Sequence, residues 1–272
     1  MSPSAPLGSR SAGLLAVDLR LEAIGEVARL AGDSAMSHFR DRLTIETKHD
    51  GSPVTVADRE AEQVVRDWVE RRFPDDGVLG EELGALREDA PLRWIVDPID
   101  GTKSFVRGVP LWGSLVALAQ GDRVLAGAAY FPAVGDLLVA APGAGCWRNG
   151  ARTAVSTVAD IAASTVLTTD DRFLDRPDRW AGWRALSERA SVSRSWGDCY
   201  GYLLVATGRA EVMADPILSP WDAAALQPII VEAGGVFTDW DGVETAFGGS
   251  AIATNGVIGA SARALLATPS PA

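Results

Sequence analysis

Histidine is nearly missing: the 272-residue chain holds two, His38 and His49. A serine–histidine–aspartate triad or a multi-histidine metal site is therefore short of parts, and carboxylates are left to carry most of the polar chemistry. Cysteine is equally scarce. Cys146 and Cys199 lack the paired spacing of a zinc site and read as buried free thiols. Basic residues are outnumbered, 25 Lys and Arg against 36 Asp and Glu, so the net charge is -11. That balance repels nucleic-acid phosphates and anionic membranes unless cations intervene, so neither is expected as a partner. A phosphate reached through metal ions stays open. No apolar run approaches the ~18 residues that span a bilayer. The opening MSPSAPLGSRSAG lacks the basic-then-apolar order of a secretory signal. Residues 1–14 read as a flexible leader and the chain as cytoplasmic.

What is present is a 47% hydrophobic chain of a length that admits one compact domain or two closely packed lobes. Residues 15–36 place Ile24, Val27, Ala28, Ala31 and Ala35 on one helical face, and residues 57–73 repeat this with Ala61, Val64, Val65, Trp68 and Val69. Short strand ends at VLGEELG and LRWIVDP follow. The apolar runs GSLVALAQ, RVLAGAAYF and DLLVAA, separated by turn residues, then predict an antiparallel meander that closes at Asn149-Gly150. The second half alternates: strand STVLTT, helix 178–190, strand 192–195, helix 198–207, strand AEVMA, helix 221–233, strands GVFTD and AIAT, and a last helix 257–267. The expected organisation is an α+β first lobe over 15–155 and an α/β second lobe over 156–272, with no Gly/Ser or Pro-rich linker between them.

The chemistry concentrates in WIVDPIDGTKSF, residues 94–105. An apolar strand ends in Asp97 and Asp100; Pro98 fixes one φ angle, and Gly101 permits a tight turn and close approach to a ligand. Two fixed carboxylates with the Ile99 carbonyl between them form a hard, oxygen-only donor set suited to Mg2+ rather than zinc. Taken alone, DxxDG is equally an acidic surface turn. Three other acidic elements stand beside it: Asp58 in TVADREAE, Glu81 and Glu82 in GEELG, and Asp222 in PWDAAAL. Asp58 and Asp222 singly are good helix-start acids, but four acidic turns at strand ends and helix starts exceed what capping requires.

GEELG, WIVDPIDGTKSF and PWDAAALQPIIVEAGG, in this order, resemble the inositol monophosphatase superfamily over residues 15–267. The resemblance implies a layered αβαβα sandwich of the inositol monophosphatase and fructose-1,6-bisphosphatase type, usually homodimeric, hydrolysing small phosphate monoesters with two or three Mg2+ per site. It makes Glu81, Asp97 and the Ile99 carbonyl ligands of one metal, and Asp97, Asp100 and Asp222 ligands of a second. It assigns Thr102 and Asp58 to orienting the attacking water, with Glu81 beside it. The amides of Gly101 and Thr102, opening a helix over TKSF, are placed to hold phosphate oxygens. Lys48 precedes Asp58 much as a family lysine does, and is left outside the site as a solvated loop residue.

Three departures bear on substrate. Where members acting on inositol phosphates carry Thr-Asn, Gly-Thr-Ala and a glutamate, this chain has Lys103-Ser104, Gly197-Asp198-Cys199 and Asp215. SRSWGDCYGYLLVATGRAEVMADPILSPWD resembles instead the branch that dephosphorylates histidinol phosphate. That ester carries an ammonium and a partly protonated imidazole, so carboxylates suit its pocket. Asp198, Asp215 and Arg194 are the candidate substrate residues, although a cap and an Asp-Pro turn account for the first two as well. Inositol-1-monophosphatase, 3′-phosphoadenosine 5′-phosphate phosphatase and a non-catalytic metal or phosphate-binding regulator are the alternatives.

Overall fold

The computed structural model describes residues 8–41, 44–48 and 53–268. In chain order these form α1 (Gly8–Met36), β1 (Glu46–Thr47), β2 (Pro53–Val54), α2 (Val56–Arg72), β3 (Gly77–Gly80), β4 (Gly84–Leu86), β5 (Arg93–Asp100), α3 (Thr102–Phe105), β6 (Gly113–Gln120), β7 (Arg123–Phe131), β8 (Asp136–Ala141), β9 (Gly145–Arg148) and β10 (Ala151–Arg152). The chain continues through β11 (Thr165–Leu167), α4 (Pro177–Ser187), β12 (Val192–Arg194), α5 (Asp198–Ala206), β13 (Val212–Asp215), α6 (Pro220–Ala223), α7 (Leu226–Glu232), β14 (Val236–Thr238), β15 (Ala251–Thr254) and α8 (Gly259–Leu266).

Side-chain alternation in the strands explains how these elements stack. In β5, Trp94 and Val96 point to one face and pack with Ile24 and Val27 of α1 and Trp68 and Val69 of α2. Ile95, between them, faces the other way and joins Leu203 of α5 and Ile229 and Ile230 of α7. A strand buried on both faces is apolar at every step, which is why Trp94, Ile95 and Val96 show no polar alternation. β13 repeats the pattern: Val212 and Ala214 pack with Trp183 of α4 and Ala262 and Leu266 of α8, while Met213 turns to the central layer. The result is five layers: α1 and α2, an eight-stranded sheet, α5 to α7, a five-stranded sheet, then α4 and α8.

The large sheet runs β10-β9-β8-β7-β6-β5-β3-β4, its β6 to β9 forming the antiparallel meander, with β3 and β5 parallel. The small sheet runs β12-β11-β13-β15-β14, with β11 parallel to both neighbours and β15 antiparallel to β13 and β14. The stretch read as one helix over 221–233 is two, α6 and α7, parted at Ala224 and Ala225. Pro228 has no N–H to give the Ala224 carbonyl, and its ring crowds that carbonyl, so the helical ladder breaks four residues upstream. α1 begins at Gly8, inside the stretch read as a leader, and residues 1–7 of that leader lie outside the described residues. No helix among the described residues is long and apolar enough to cross a membrane.

Candidate active site

β5 delivers the first two acids. Its pairing with β6 shifts between Asp97 and Asp100, so the strand leaves register where the carboxylates begin. Gly101 follows at φ 91°, a left-handed conformation, and a Cβ there would lie 2.9 Å from the Leu111 carbonyl oxygen. Only glycine turns the chain here without strain and collision. α6 brings Asp222 through its first turn, and among the described residues ligand atoms of Asp97, Asp100 and Asp222 fall within 4.8 Å of one another.

Each of these acids has one oxygen fixed by a backbone amide. Asp97 Oδ1 accepts from Ile99 N at 3.0 Å, Asp100 Oδ2 from Cys199 N at 2.7 Å, and Asp222 Oδ2 from Ser219 N at 2.7 Å. The bonds set the carboxylate planes without supplying a counter-charge. Burial pushes Asp97 well above the ordinary carboxylate range, and Glu81, Asp100 and Asp222 push it further. Asp100 is likewise raised, by burial and then by Asp198 and Asp222. Asp222 is pushed up to about 7 by burial, with Glu81 and Asp198 adding to it against the Ser219 amide. Buried acids that repel one another this strongly form an oxygen-only donor set fitted to a hard divalent cation.

Asp58 enters from α2. Its Oδ2 accepts from the Thr55 amide and hydroxyl, both at 2.7 Å, closing a capping box. The Thr102 hydroxyl donates to the Ile99 carbonyl at 2.9 Å and lies 3.4 Å from Asp58 Oδ1, its single proton serving one acceptor at a time. Burial raises Asp58, with the Thr55 bonds opposing. The acid that caps the helix is thus also the one set beside Thr102.

Glu81, Asp97, Ile99, Asp100, Gly101, Thr102, Asp198 and Asp222 line one cleft of about 170 Å³. Asp198, at the start of α5, is pushed up to about 7 by burial and by Asp215, with Lys103 opposing. Three of the sequence candidates are not in its lining: Asp58, which adjoins it through Thr102, and Asp215 and Arg194. Asp215 is 1% exposed, with Oδ1 accepting from Thr169 N at 2.9 Å and Oδ2 from the Tyr202 hydroxyl at 3.1 Å; burial pushes it up to about 6 against those bonds. The Asp-Pro step marks a turn but conveys no depth; the structure buries this carboxylate against Thr169, which itself lines the cleft, and Tyr202. Arg194 ends the edge strand β12, exposed, and its guanidinium donates to the Ser193 carbonyl at 2.7 Å. That puts it on the outer edge of the small sheet and outside the lining of the cleft.

Sequence reasoning set Lys48 aside and did not single out Thr169, Ile217 or Leu218. Lys48 donates to Glu81 at 2.7 Å and to Glu82 at 2.5 Å. Burial works against its charge, but the two glutamates outweigh it and hold the ammonium above its ordinary range. Burial and Glu81 in turn push Glu82 up to about 7, against Lys48. Thr169 lines the cleft, as do Ile217 and Leu218. Larger hollows occur elsewhere, including one of about 630 Å³ between α4 and α8, but its arginines are engaged: Arg176 by Asp178, Arg179 by the Pro216 carbonyl and Arg263 by Thr238.

A model of the inositol monophosphatase family matches residues 18–269. A histidinol-phosphatase of Chlorobaculum parvum is 43% identical over 84% of this chain and 88% of its own. One of Mycobacterium tuberculosis is 42% identical over 79% of this chain and 85% of its own. The solved structure of a Thermotoga maritima IMPase superposes with a TM-score of 0.82 at 30% identity, covering 91% of this chain and 96% of that one.

Proposed function

The chain belongs to the inositol monophosphatase family, and on that premise we propose that it hydrolyses L-histidinol phosphate to L-histidinol and inorganic phosphate, a step of histidine biosynthesis. The observation that carries the substrate is Asp198, the fifth carboxylate of the cleft and the one left over once Glu81, Asp97, Asp100 and Asp222 are given to metal. An ammonium or imidazolium on the alcohol half of the ester gives that charge a partner. The relatives named histidinol-phosphatase support the same reading.

In this reading Glu81, Asp97, Asp100, Asp222 and the Ile99 carbonyl hold Mg2+, two or three ions per site, for which an all-oxygen donor set is suited. When bound, such ions neutralise phosphate charge and lower the pKa of water. Thr102 and Asp58 orient the attacking water, Asp58 being held for that purpose by Thr55. Glu81 lies beside it, steadied by Lys48. The water oxygen bonds to phosphorus and the ester P–O bond breaks; of the water's two protons, one stays on the phosphate formed and the other goes to the departing alkoxide. The amides of Gly101 and Thr102 hold phosphate oxygens, and Asp198 pairs with the cationic end of the ester.

Phosphate release from L-histidinol phosphate, inositol 1-phosphate, 3′-phosphoadenosine 5′-phosphate and glycerol 2-phosphate, each with and without Mg2+, tests this. Histidinol phosphate is expected to lead in kcat/KM by about 100-fold or more, as a site built around a charged partner rejects esters that lack it. Faster turnover of inositol phosphate sinks the assignment. A homodimer, which the family resemblance implies, is part of the same proposal; a monomeric mass by light scattering would remove it.

A further inference from the structure

Asp198 stands in an uncommon backbone conformation, φ 51°, at the first position of α5. Asp tolerates the left-handed region better than most residues, yet such a conformation persists only where its surroundings impose it. Here the imposing contact is specific. The Asp198 amide donates to Thr169 Oγ1 at 2.9 Å, just past the end of β11. The Thr169 amide donates in turn to Asp215 Oδ1 at 2.9 Å, at the end of β13. The other oxygen of Asp215 accepts from the Tyr202 hydroxyl at 3.1 Å, and Tyr202 lies one turn further along α5. The path leaves α5, passes two strand ends of the small sheet, and returns to α5.

We infer that Thr169, backed by Asp215 and Tyr202, is a positioning residue that fixes the Asp198 carboxylate against the cationic end of the ester, an inference resting on the proposed role of Asp198. Two features sharpen it. Gly197 lets the chain pass so close that a Cβ there would lie 2.3 Å from Thr169 Cα, so the two backbones are in contact where Asp198 is held. The following amide, Cys199 N, is bound by Asp100. The first turn of α5 is thereby anchored on one side to the clustered acids and on the other to Thr169, and Asp198 Oδ2 comes to 3.2 Å from where a Gly101 Cβ would stand. Asp215, fully engaged and buried, acts through Thr169 rather than on substrate.

The test reads the ratio of KM for L-histidinol phosphate to KM for glycerol 2-phosphate, an ester of a neutral alcohol, with melting temperature measured alongside. Asp198→Asn is expected to raise the ratio about tenfold, the effect of losing one charge-assisted contact. Thr169→Val, which removes the acceptor but keeps the shape, is expected to raise it several-fold, and Thr169→Ser to restore it. An unchanged ratio in Thr169→Val beside a raised one in Asp198→Asn overturns the positioning role and leaves the substrate reading standing. An unchanged ratio in Asp198→Asn removes both. If Thr169→Val fails to fold, Tyr202→Phe, which removes one hydroxyl, is expected to raise the ratio by a smaller factor; lowered melting with no change in ratio shows a purely structural role and overturns the inference.

Discussion

At the scale of the residue, the cleft is defined by acids whose depth matters as much as their identity. Asp100 is the sharpest case, because one oxygen bonds the Cys199 amide while the group as a whole is repelled by Asp198 and Asp222. Asp100→Asn keeps an acceptor for that amide and removes a charge from the cluster. Mg2+-dependent turnover is expected to fall by about 10³ or more, since stabilising phosphate charge is worth several kcal/mol. The melting temperature in chelator is expected to hold or rise, because one repelling charge is gone. Unchanged turnover would remove the metal assignment. The clustered acids were legible in the sequence because each ends a strand or opens a helix, positions that tie identity to direction. The depth of Asp215 and the edge position of Arg194 were not legible, because a turn signature and a guanidinium indicate chemistry without saying which way the side chain points. Lys48 was set aside for the same reason: nothing local to it announces Glu81, 33 residues on.

At the scale of the element, α2 does more than cover the large sheet. Asp58, Glu62 and Arg66 stand on successive turns of one face. Glu62, fully buried, accepts from Glu82 N at 2.7 Å and from Leu83 N at 3.3 Å, and is bridged by Arg66 at 2.7 Å. The helix that supplies Asp58 therefore also braces the turn that supplies Glu81. Glu62→Ala strands a buried guanidinium and two amides, at a cost of about 3–5 kcal/mol, so melting is expected about 10 °C lower. As the Glu81 turn loosens, kcat/KM is expected to drop about tenfold or more. A variant that melts lower with full activity would show that the brace serves stability alone. The helix itself was plain from its apolar spacing, as was the β6 to β9 meander from its runs and turns. β4, over Gly84–Leu86, carries no apolar alternation, and its existence follows from antiparallel pairing with β3, which no local pattern encodes. The break between α6 and α7 was readable from Pro228, but the apolar periodicity of the surrounding stretch concealed it.

At the scale of the whole molecule, the acids tie the two sheets together through the central helical layer. Asp97 and Asp100 come from β5 of the large sheet, Asp198 and Asp222 from α5 and α6. Without a cation, their mutual repulsion acts across the seam between the two halves of the fold. The consequence for stability has a definite sign. Asp198 and Asp222 are pushed up to about 7 and Asp215 to about 6, and burial also raises Asp97 and Asp100 well above the ordinary carboxylate range. In an unfolded chain such carboxyls titrate near ~4. Between those limits these groups bind more protons in the folded protein than in the unfolded one, so their contribution to stability is greatest below about 4 and is lost as pH rises through about 7. In chelator the melting temperature is expected to fall by about 5 °C or more from pH 5 to pH 8. A divalent cation binds the folded form and supplies the missing counter-charge, so its stabilising effect follows the opposite course. The melting shift produced by about 10 mM Mg2+ is expected to be small at pH 5 and large at pH 8, and Asp100→Asn should weaken both trends. A Mg2+ shift that is the same at both pH values, measured by calorimetry on the full chain, would show that the acids neither share the cation nor oppose the fold in its absence.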